Sequence, residues 1–305
     1  MNAIRAANLS KTYGHIKALR DFSFAVNPGE IFALVGPDGA GKTTLIRLLC
    51  HLATPDSGTV MIAGLDVQTS HEQIKPHLGY MPQHFSLYPD LSVEENLKFY
   101  AGIYGLRGPE YRDKRDYLYT FSNLAPFADR RAGALSGGMK QKLALSCALI
   151  HDPEVLILDE PTTGVDPLSR RQFWEILLGL RARGTAILVT TPYMDEVARA
   201  DRACFVYDGQ KLSEGTPDEL TGQFSGRIFF LDREPTRRLV RDLDAIEGLS
   251  ARRFGSGLHL YIDQDARIEE FRRPLEHLGI DASNLTPTPA DLEDRFIQLM
   301  ESGTS

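Results

Sequence analysis

The stretch Gly36-Pro37-Asp38-Gly39-Ala40-Gly41-Lys42-Thr43, followed by Thr44, has the pattern GxxxxGK[ST]. Glycines at Gly36, Gly39 and Gly41 let backbone N–H groups converge on phosphate oxygens, assisted by the positive end of the helix that follows. Pro37, Asp38, Ala40 and Thr44 complete the cradle. Lys42 is suited to reach the β- and γ-phosphates of a nucleoside triphosphate, and the Thr43 hydroxyl to ligate Mg²⁺. Farther along, the apolar run Val155-Leu156-Ile157-Leu158 ends in Asp159-Glu160. A carboxylate that emerges where a sheet strand ends lies beside the opening of such a loop, which makes Asp159 the second anchor for Mg²⁺. Glu160, one residue on, is placed to polarise an attacking water as general base, because phosphoryl transfer depends on positioning and charge placement.

Three further positions extend this site. Gln83 follows the strand-like Leu78 to Met81, and its amide could touch both the metal and its water. Tyr13 lies in the polar turn Lys11-Thr12-Tyr13-Gly14, where a ring could stack on adenine. Leu135-Ser136-Gly137-Gly138-Met139 precedes a run with Leu143, Leu145 and Leu149 at helical spacing. Such a helix start is another anion receptor, with Ser136 and the N–H groups of Gly137 and Gly138 free to grip a γ-phosphate. The chain's own loop already serves the near side of a nucleotide, so this second receptor is best used in trans, on a partner's ATP.

These residues need elements to carry them. Ile16 to Phe24 alternates with period two, Asn27-Pro28-Gly29 is a turn, and Ile31 to Val35 is a short apolar strand that runs straight into the glycine loop. From Thr43 to Leu52, apolar residues at Leu45, Ile46, Leu48 and Leu49 have helical spacing, which completes the strand, loop and helix that a phosphate loop requires. Helical spacing also marks Val93 to Tyr104 and Arg115 to Leu124. Strands return at 155–158 and Ala186 to Thr190, joined by a helix over Ser169 to Arg183, and a βαβ order of this kind implies a parallel sheet. Near Gly222 to Gly226 the character changes. Beyond it the pattern predicts a strand at 227–231, a helix at 236–245, strands near 249–254 and 257–262, a helix at 267–277 and a last helix from Ala290 to Met300, an order similar to a small ferredoxin-like α+β sandwich.

Bulk properties set limits. The length of 305 residues suggests two domains, and a net charge of -7 speaks against a broad nucleic-acid surface, which relies on clustered Lys and Arg. Cys50, Cys147 and Cys204 sit in apolar contexts with no CxxC pair, and so read as core thiols in a reducing compartment. No window reaches the roughly 18 apolar residues of a membrane span, so any service to a membrane is expected from the cytosolic side.

Together GPDGAGKT, Gln83, LSGGM, LILDE and Thr163-Gly164-Val165-Asp166-Pro167 resemble the nucleotide-binding subunit of an ABC transporter. The longer stretches GYMPQHFSLYPDLSVEENL and LDEPTTGVDPLSRRQFW most resemble ATPases of the ABC-2 type, or multidrug, exporter branch. The resemblance implies an α/β P-loop ABC-type nucleotide-binding domain over 1–222, with a mixed sheet core, an antiparallel β subdomain and a helical insert at about 85–150. A small C-terminal α+β extension, 223–305, would follow. It further implies ATP and Mg²⁺ as cofactors and a second ABC cassette as partner, in a homodimer or a heterodimer. Asp166 would lie in the loop that crosses that interface. An ABC-2 type transmembrane permease would receive residues around Gln83 to Tyr104, with the subunit peripheral on the cytoplasmic face of the inner membrane.

Two positions depart from the family pattern. Where the family usually has histidine after the strand ending in threonine, this chain reads Thr191-Pro192-Tyr193-Met194-Asp195-Glu196. Proline offers neither a side-chain donor nor a backbone N–H, so the contact to the γ-phosphate is lost. Asp38 stands where asparagine is general, placing an extra carboxylate near a triphosphate. The expectation is that the chain's own site binds ATP and hydrolyses it slowly, while its LSGGM completes a better site on a partner; the first cassette of certain two-cassette exporter ATPases is similar in lacking that histidine. The alternative, that Glu160 suffices and Pro192 is tolerated, stays open. Two other functions compete with transport: a soluble ABC-type ATPase acting on ribosomes or nucleic acid, and a regulatory cassette with a degenerate site. The absence of sustained heptads between Lys42 and Leu135 argues against DNA-repair members of the superfamily. Lys42, Asp159 and Glu160 argue against an idle cassette.

Overall fold

The computed structural model describes residues 2–302. The chain divides into two compact units, Met1–Pro217 and Asp218–Ser305.

In the first unit the order is β1 (Ile4–Tyr13), β2 (Ile16–Val26), β3 (Ile31–Val35), α1 (Lys42–Leu49), β4 (Ser57–Ile62), β5 (Leu65–Asp66), α2 (His71–Ile74) and β6 (Leu78–Met81). Three helices follow: α3 (Val93–Ile103), α4 (Gly108–Ser122) and α5 (Gly137–Leu149). The unit closes with β7 (Val155–Asp159), α6 (Pro167–Ala182), β8 (Ala186–Thr191), α7 (Met194–Val197), β9 (Arg202–Tyr207) and β10 (Gln210–Gly215), and α8 (Pro217–Gly222) begins at its boundary. Helix α4 starts seven residues before the apolar periodicity predicts. Pro109 occupies its first turn, where a missing N–H costs nothing, and the turns that follow are polar, so spacing alone hides them.

The strands form two sheets. An antiparallel sheet has the order β2-β1-β4-β5, and a mixed sheet has the order β10-β9-β3-β8-β7-β6. Within the mixed sheet only β9 and β10 pair antiparallel; β6, β7, β8, β3 and β9 run parallel. Every residue of β3, β7 and β8 is buried. Strands covered on both faces have no use for polar alternation, which is why they read as unbroken apolar runs. Phe32 and Leu34 from β3, Val155 and Ile157 from β7, and Ala186 and Leu188 from β8 pack in one core with Leu45, Ile46, Leu48 and Leu49 of α1.

Register decides what this sheet can do. Val35 pairs with Thr191, and Asp159 pairs with Thr190. The ends of β3, β7 and β8 are therefore level, and the loop at Gly36, the carboxylates at 159–160 and the turn at Pro192 leave the sheet along one edge.

In the second unit, β11 (Arg227–Leu231), α9 (Arg237–Asp244), β12 (Leu249–Phe254), β13 (Gly257–Ile262), α10 (Arg272–His277), β14 (Thr286–Thr288) and α11 (Leu292–Ser302) follow in order. The sheet is wholly antiparallel with order β12-β13-β11-β14. Phe229, Leu231, Leu258, Leu260 and Ile262 point to a core shared with Leu243 of α9, Leu275 of α10 and Phe271 just before α10. His259 and Tyr261 alternate to the other face, where both meet the buried Asp294 of α11, at 3.1 and 2.6 Å. Two details differ from the pattern-based expectation. The 267–277 segment is a 3-10 turn over Ile268–Phe271 before α10 begins at Arg272, because Pro274 fits only a first helical turn. Strand β14 escapes notice because Pro287 sits in its middle, which an edge strand alone tolerates.

Candidate functional site

The phosphate loop spans the end of β3 and the start of α1. Gly41 is the N-cap of α1 with φ 106°, a left-handed backbone closed to other residues, and a Cβ there would lie 2.5 Å from the Ala18 carbonyl oxygen. No side chain caps this helix, so its first N–H groups stay directed at the loop. Gly36 and Ala40 are buried, while Pro37, Asp38 and Gly39 are exposed and Thr43 and Thr44 half-buried. Lys42 is buried in the loop's centre, where its ammonium donates to the carbonyls of Gly36 (2.7 Å) and Pro37 (3.2 Å). It also stands 3.4 Å from Glu160 Oε1.

Asp159, at the end of β7, is 2% exposed. Burial pushes its carboxyl above the ordinary range, opposed by hydrogen bonds from Thr190 and Thr43 and by the charge of Lys42. Thr43 and Asp159 thus face each other with oxygen ligands. Among the described residues no group of three or more His, Cys, Asp or Glu could hold a metal. A hydroxyl plus one carboxylate suits Mg²⁺, which keeps waters and takes phosphate oxygens instead of a full protein cage. When bound, the ion would neutralise phosphate charge.

Glu160 carries φ 47°, left-handed for a residue with a side chain, and such backbone outliers gather at working sites. Its Oε2 accepts from the Gln83 amide at 2.9 Å and from the Thr163 hydroxyl at 3.3 Å. The structure therefore brings Lys42, Thr43, Gln83, Asp159 and Glu160 together. Gln83 is held by the general-base candidate, with its amide oxygen as the end suited to a metal. Tyr13 ends β1 in an exposed hairpin turn, 44% exposed, with the Lys11 ammonium 5.4 Å from its ring centre.

The 135–139 turn is built differently. Ser136 caps α5, its hydroxyl accepting from Met139 N at 3.4 Å, and is exposed. Gly138 is buried; a Cβ there would lie 2.6 Å from the Cβ and Oγ of Ser169, and one at Gly137 would meet the Gly164 carbonyl at 3.7 Å. These contacts join the turn to the segment 163–169, where Asp166 caps α6 by accepting from Ser169 N at 2.9 Å. We expect Gly138→Ala to lower stability by about 1–3 kcal/mol, the usual cost of overpacking. Urea denaturation measures this, and an unchanged midpoint would mean the close approach is absent in solution.

Pro192 is exposed, one residue past β8. The segment around it is tied down by buried groups that sequence reasoning did not single out. Glu196 accepts from Thr162 at 2.6 Å and from Thr191 at 2.5 Å, and Thr191 Oγ1 in turn accepts from Tyr193 N at 3.1 Å. The Arg170 guanidinium lies 4.1 Å from the Tyr193 ring centre. The one available signal was a pair of threonines ending an apolar strand.

A phosphate loop at the level of a buried carboxylate edge, with a lysine, a threonine and a glutamine converging on Asp159 and Glu160, defines a P-loop nucleotide-binding domain. The ABC transporter family model matches residues 19–163. Over 220 residues the chain is 44% identical to a protein described as a probable multidrug ABC transporter ATP-binding protein, YbhF, of Escherichia coli (strain K12), which spans 72% of this chain and 38% of the relative. The chain thus covers well under half of that relative's length. The Nod factor export ATP-binding protein I of Paraburkholderia xenovorans (strain LB400) is 38% identical over 306 residues, covering 97% of this chain and 96% of the relative. Among solved structures, an ATP-binding subunit of an ABC transporter aligns with TM-score 0.67 at 32% identity, covering 73% of this chain and 93% of that one. The cassette MJ0796, in a dimeric post-hydrolysis state bound to ADP and Pi, aligns with TM-score 0.64 at 26% identity, covering 70% and 98%. The chain belongs to the ATP-binding cassette family of ABC transporters.

Proposed function

We propose that the chain is the ATP-binding and hydrolysing subunit of an export complex, in which ATP closes two cassettes and their closure drives a membrane permease of the ABC-2 type. The observation that carries the reading is the division of labour in the first unit. Lys42, Thr43, Asp159, Glu160 and Gln83 form one half of a nucleotide site, while the start of α5 exposes Ser136 and Gly137 on a turn whose Gly138 is packed against Ser169. A helix start is an anion receptor, and a second cassette's triphosphate is the anion it suits. The dimeric state of the similar MJ0796 cassette supports this.

Lys42 and the loop amides bind the phosphates, Thr43 and Asp159 hold Mg²⁺, and Glu160, steadied by Gln83 and Thr163, takes the proton of the attacking water. Tyr13 stacks on the base. Asp166 fixes the 163–167 loop at the interface between cassettes. With proline at 192 the chain's own site turns over slowly, and the partner is a second copy or a different cassette with a better site. The relatives named for multidrug and Nod factor export support efflux as the direction of transport. Among the described residues no helix is long and apolar enough to cross a membrane. The proposed place of the subunit, peripheral on the cytoplasmic face of the inner membrane, follows from its service to a permease. Fractionation of cells that express the chain with its partners tests the reading. Mg²⁺-dependent ATPase activity should sediment with the membranes and with a polytopic protein. Recovery with ribosomes or in the soluble fraction alone would reject it.

A further inference from the structure

One hydroxyl touches both halves of the acidic pair. Thr190 is fully buried beside Asp159, its register partner in the parallel pairing of β7 with β8. Its Oγ1 donates to Asp159 Oδ1 at 2.8 Å and accepts from the backbone N–H of Glu160 at 2.9 Å. A hydroxyl has one proton and two lone pairs, so these two bonds use its donor and its acceptor capacity in opposite directions. Valine has the same shape and can do neither.

The arrangement follows from how β7 ends. Glu160 turns into a left-handed conformation, φ 47°, and leaves the ladder. Its amide would bond to a carbonyl of β8 in a continuing parallel strand; here the Thr190 side chain takes that place. With the amide fixed, the Glu160 carboxylate is aimed at Gln83, Lys42 and Thr163. With Asp159 Oδ1 occupied, the carboxylate is held in one orientation beside Thr43. The neighbouring threonine does something else: Thr191 is bound to Glu196 and to the amide of Tyr193.

We infer that Thr190 is a positioning residue for ATP hydrolysis, setting through one hydroxyl both the orientation of the Mg²⁺-binding Asp159 and the strained backbone of the general base Glu160. The inference rests on the ATPase reading above, and its test separates the two. Partners one bond removed from a metal site typically alter affinity or activity about 10–100-fold. Thr190→Val, in the complex with its natural partners, should raise the Mg²⁺ concentration for half-maximal ATP binding about tenfold and lower kcat by a similar factor, with ATP affinity at saturating Mg²⁺ within about twofold. Amide exchange at Glu160, measured without nucleotide or metal, should accelerate. Thr190→Ser, which keeps the hydroxyl, should restore all three values. Thr190→Ala gives the same reading if the valine variant does not fold.

An unchanged Mg²⁺ half-saturation together with unchanged exchange at Glu160 would overturn the inference. So would a serine variant that fails as completely as valine. Wild-type protein without ATP turnover would reject the ATPase reading, while metal titration and amide exchange would still decide the role of Thr190.

Discussion

Glu160→Gln should lower ATP turnover by about 10²–10⁴-fold, the usual contribution of a positioned general base, while ATP still binds. The substitution is nearly isosteric, so the donors at Gln83 and Thr163 can still meet an oxygen at this position. What is lost is the ability to take a proton and the charge that faces Lys42 at 3.4 Å. On the proposed reading the loop, Lys42 and Thr43 carry binding, and all of them remain. The left-handed backbone is also retained, because it is fixed by the main chain and by Thr190. Turnover and nucleotide affinity measured on the same preparation check this. A glutamine variant that hydrolyses ATP within about threefold of wild type would remove Glu160 from the chemical step, since a lost base costs far more.

Pro192→His carries the opposite sign. Removing one preorganised hydrogen-bond donor from a developing charge commonly costs about 10²–10³ in kcat, so supplying one should raise turnover by about tenfold or more. The local frame is ready to receive it. Thr191 is held by Glu196, Tyr193 N–H is held by Thr191, and Arg170 packs on the Tyr193 ring, so position 192 projects from a fixed turn. Proline there already has an exposed surface, and a histidine needs no cavity. Steady-state turnover of the two proteins side by side gives the answer. Brisk wild-type hydrolysis that the substitution leaves unchanged would mean that Glu160 works without this donor, consistent with the non-additivity of coupled catalytic groups.

What the amino-acid order discloses about this site depends on whether the chemistry is local. A phosphate loop uses consecutive backbone amides, so its residues must be neighbours, and Gly36 to Thr43 spell it out. Asp159 and Glu160 were visible for a similar reason: a fully buried parallel strand is an unbroken apolar run, and a pair of carboxylates closing it is conspicuous. The exit of loop and carboxylates along one edge also followed from the strand order βαβ. Thr190 and Glu196 were not legible, because their work arises from register and from contacts across the sheet. Thr190 meets residues 30 and 31 positions away, and nothing about its own neighbours announces this. Proline obscured other boundaries. It opens α4 in a polar stretch, delays α10 and interrupts β14, three places where hydrophobic spacing carries no signal. The motif puts Asp166 in the loop expected to cross between cassettes, and its carboxylate's contact with Ser169 N as the cap of α6 becomes visible only in the structure.

We propose that the site closes only between two cassettes, with the Ser136 to Gly138 turn serving a partner's triphosphate. The Glu160→Gln chain, isolated with its natural partners and loaded with an ATP analogue that is photoreactive at the γ-phosphate, tests it most directly. A complex containing two cassettes is expected, with label on the 135–139 turn of one and on the phosphate loop of the other. A strictly monomeric nucleotide complex, with label confined to Gly36 through Thr44, would contradict it.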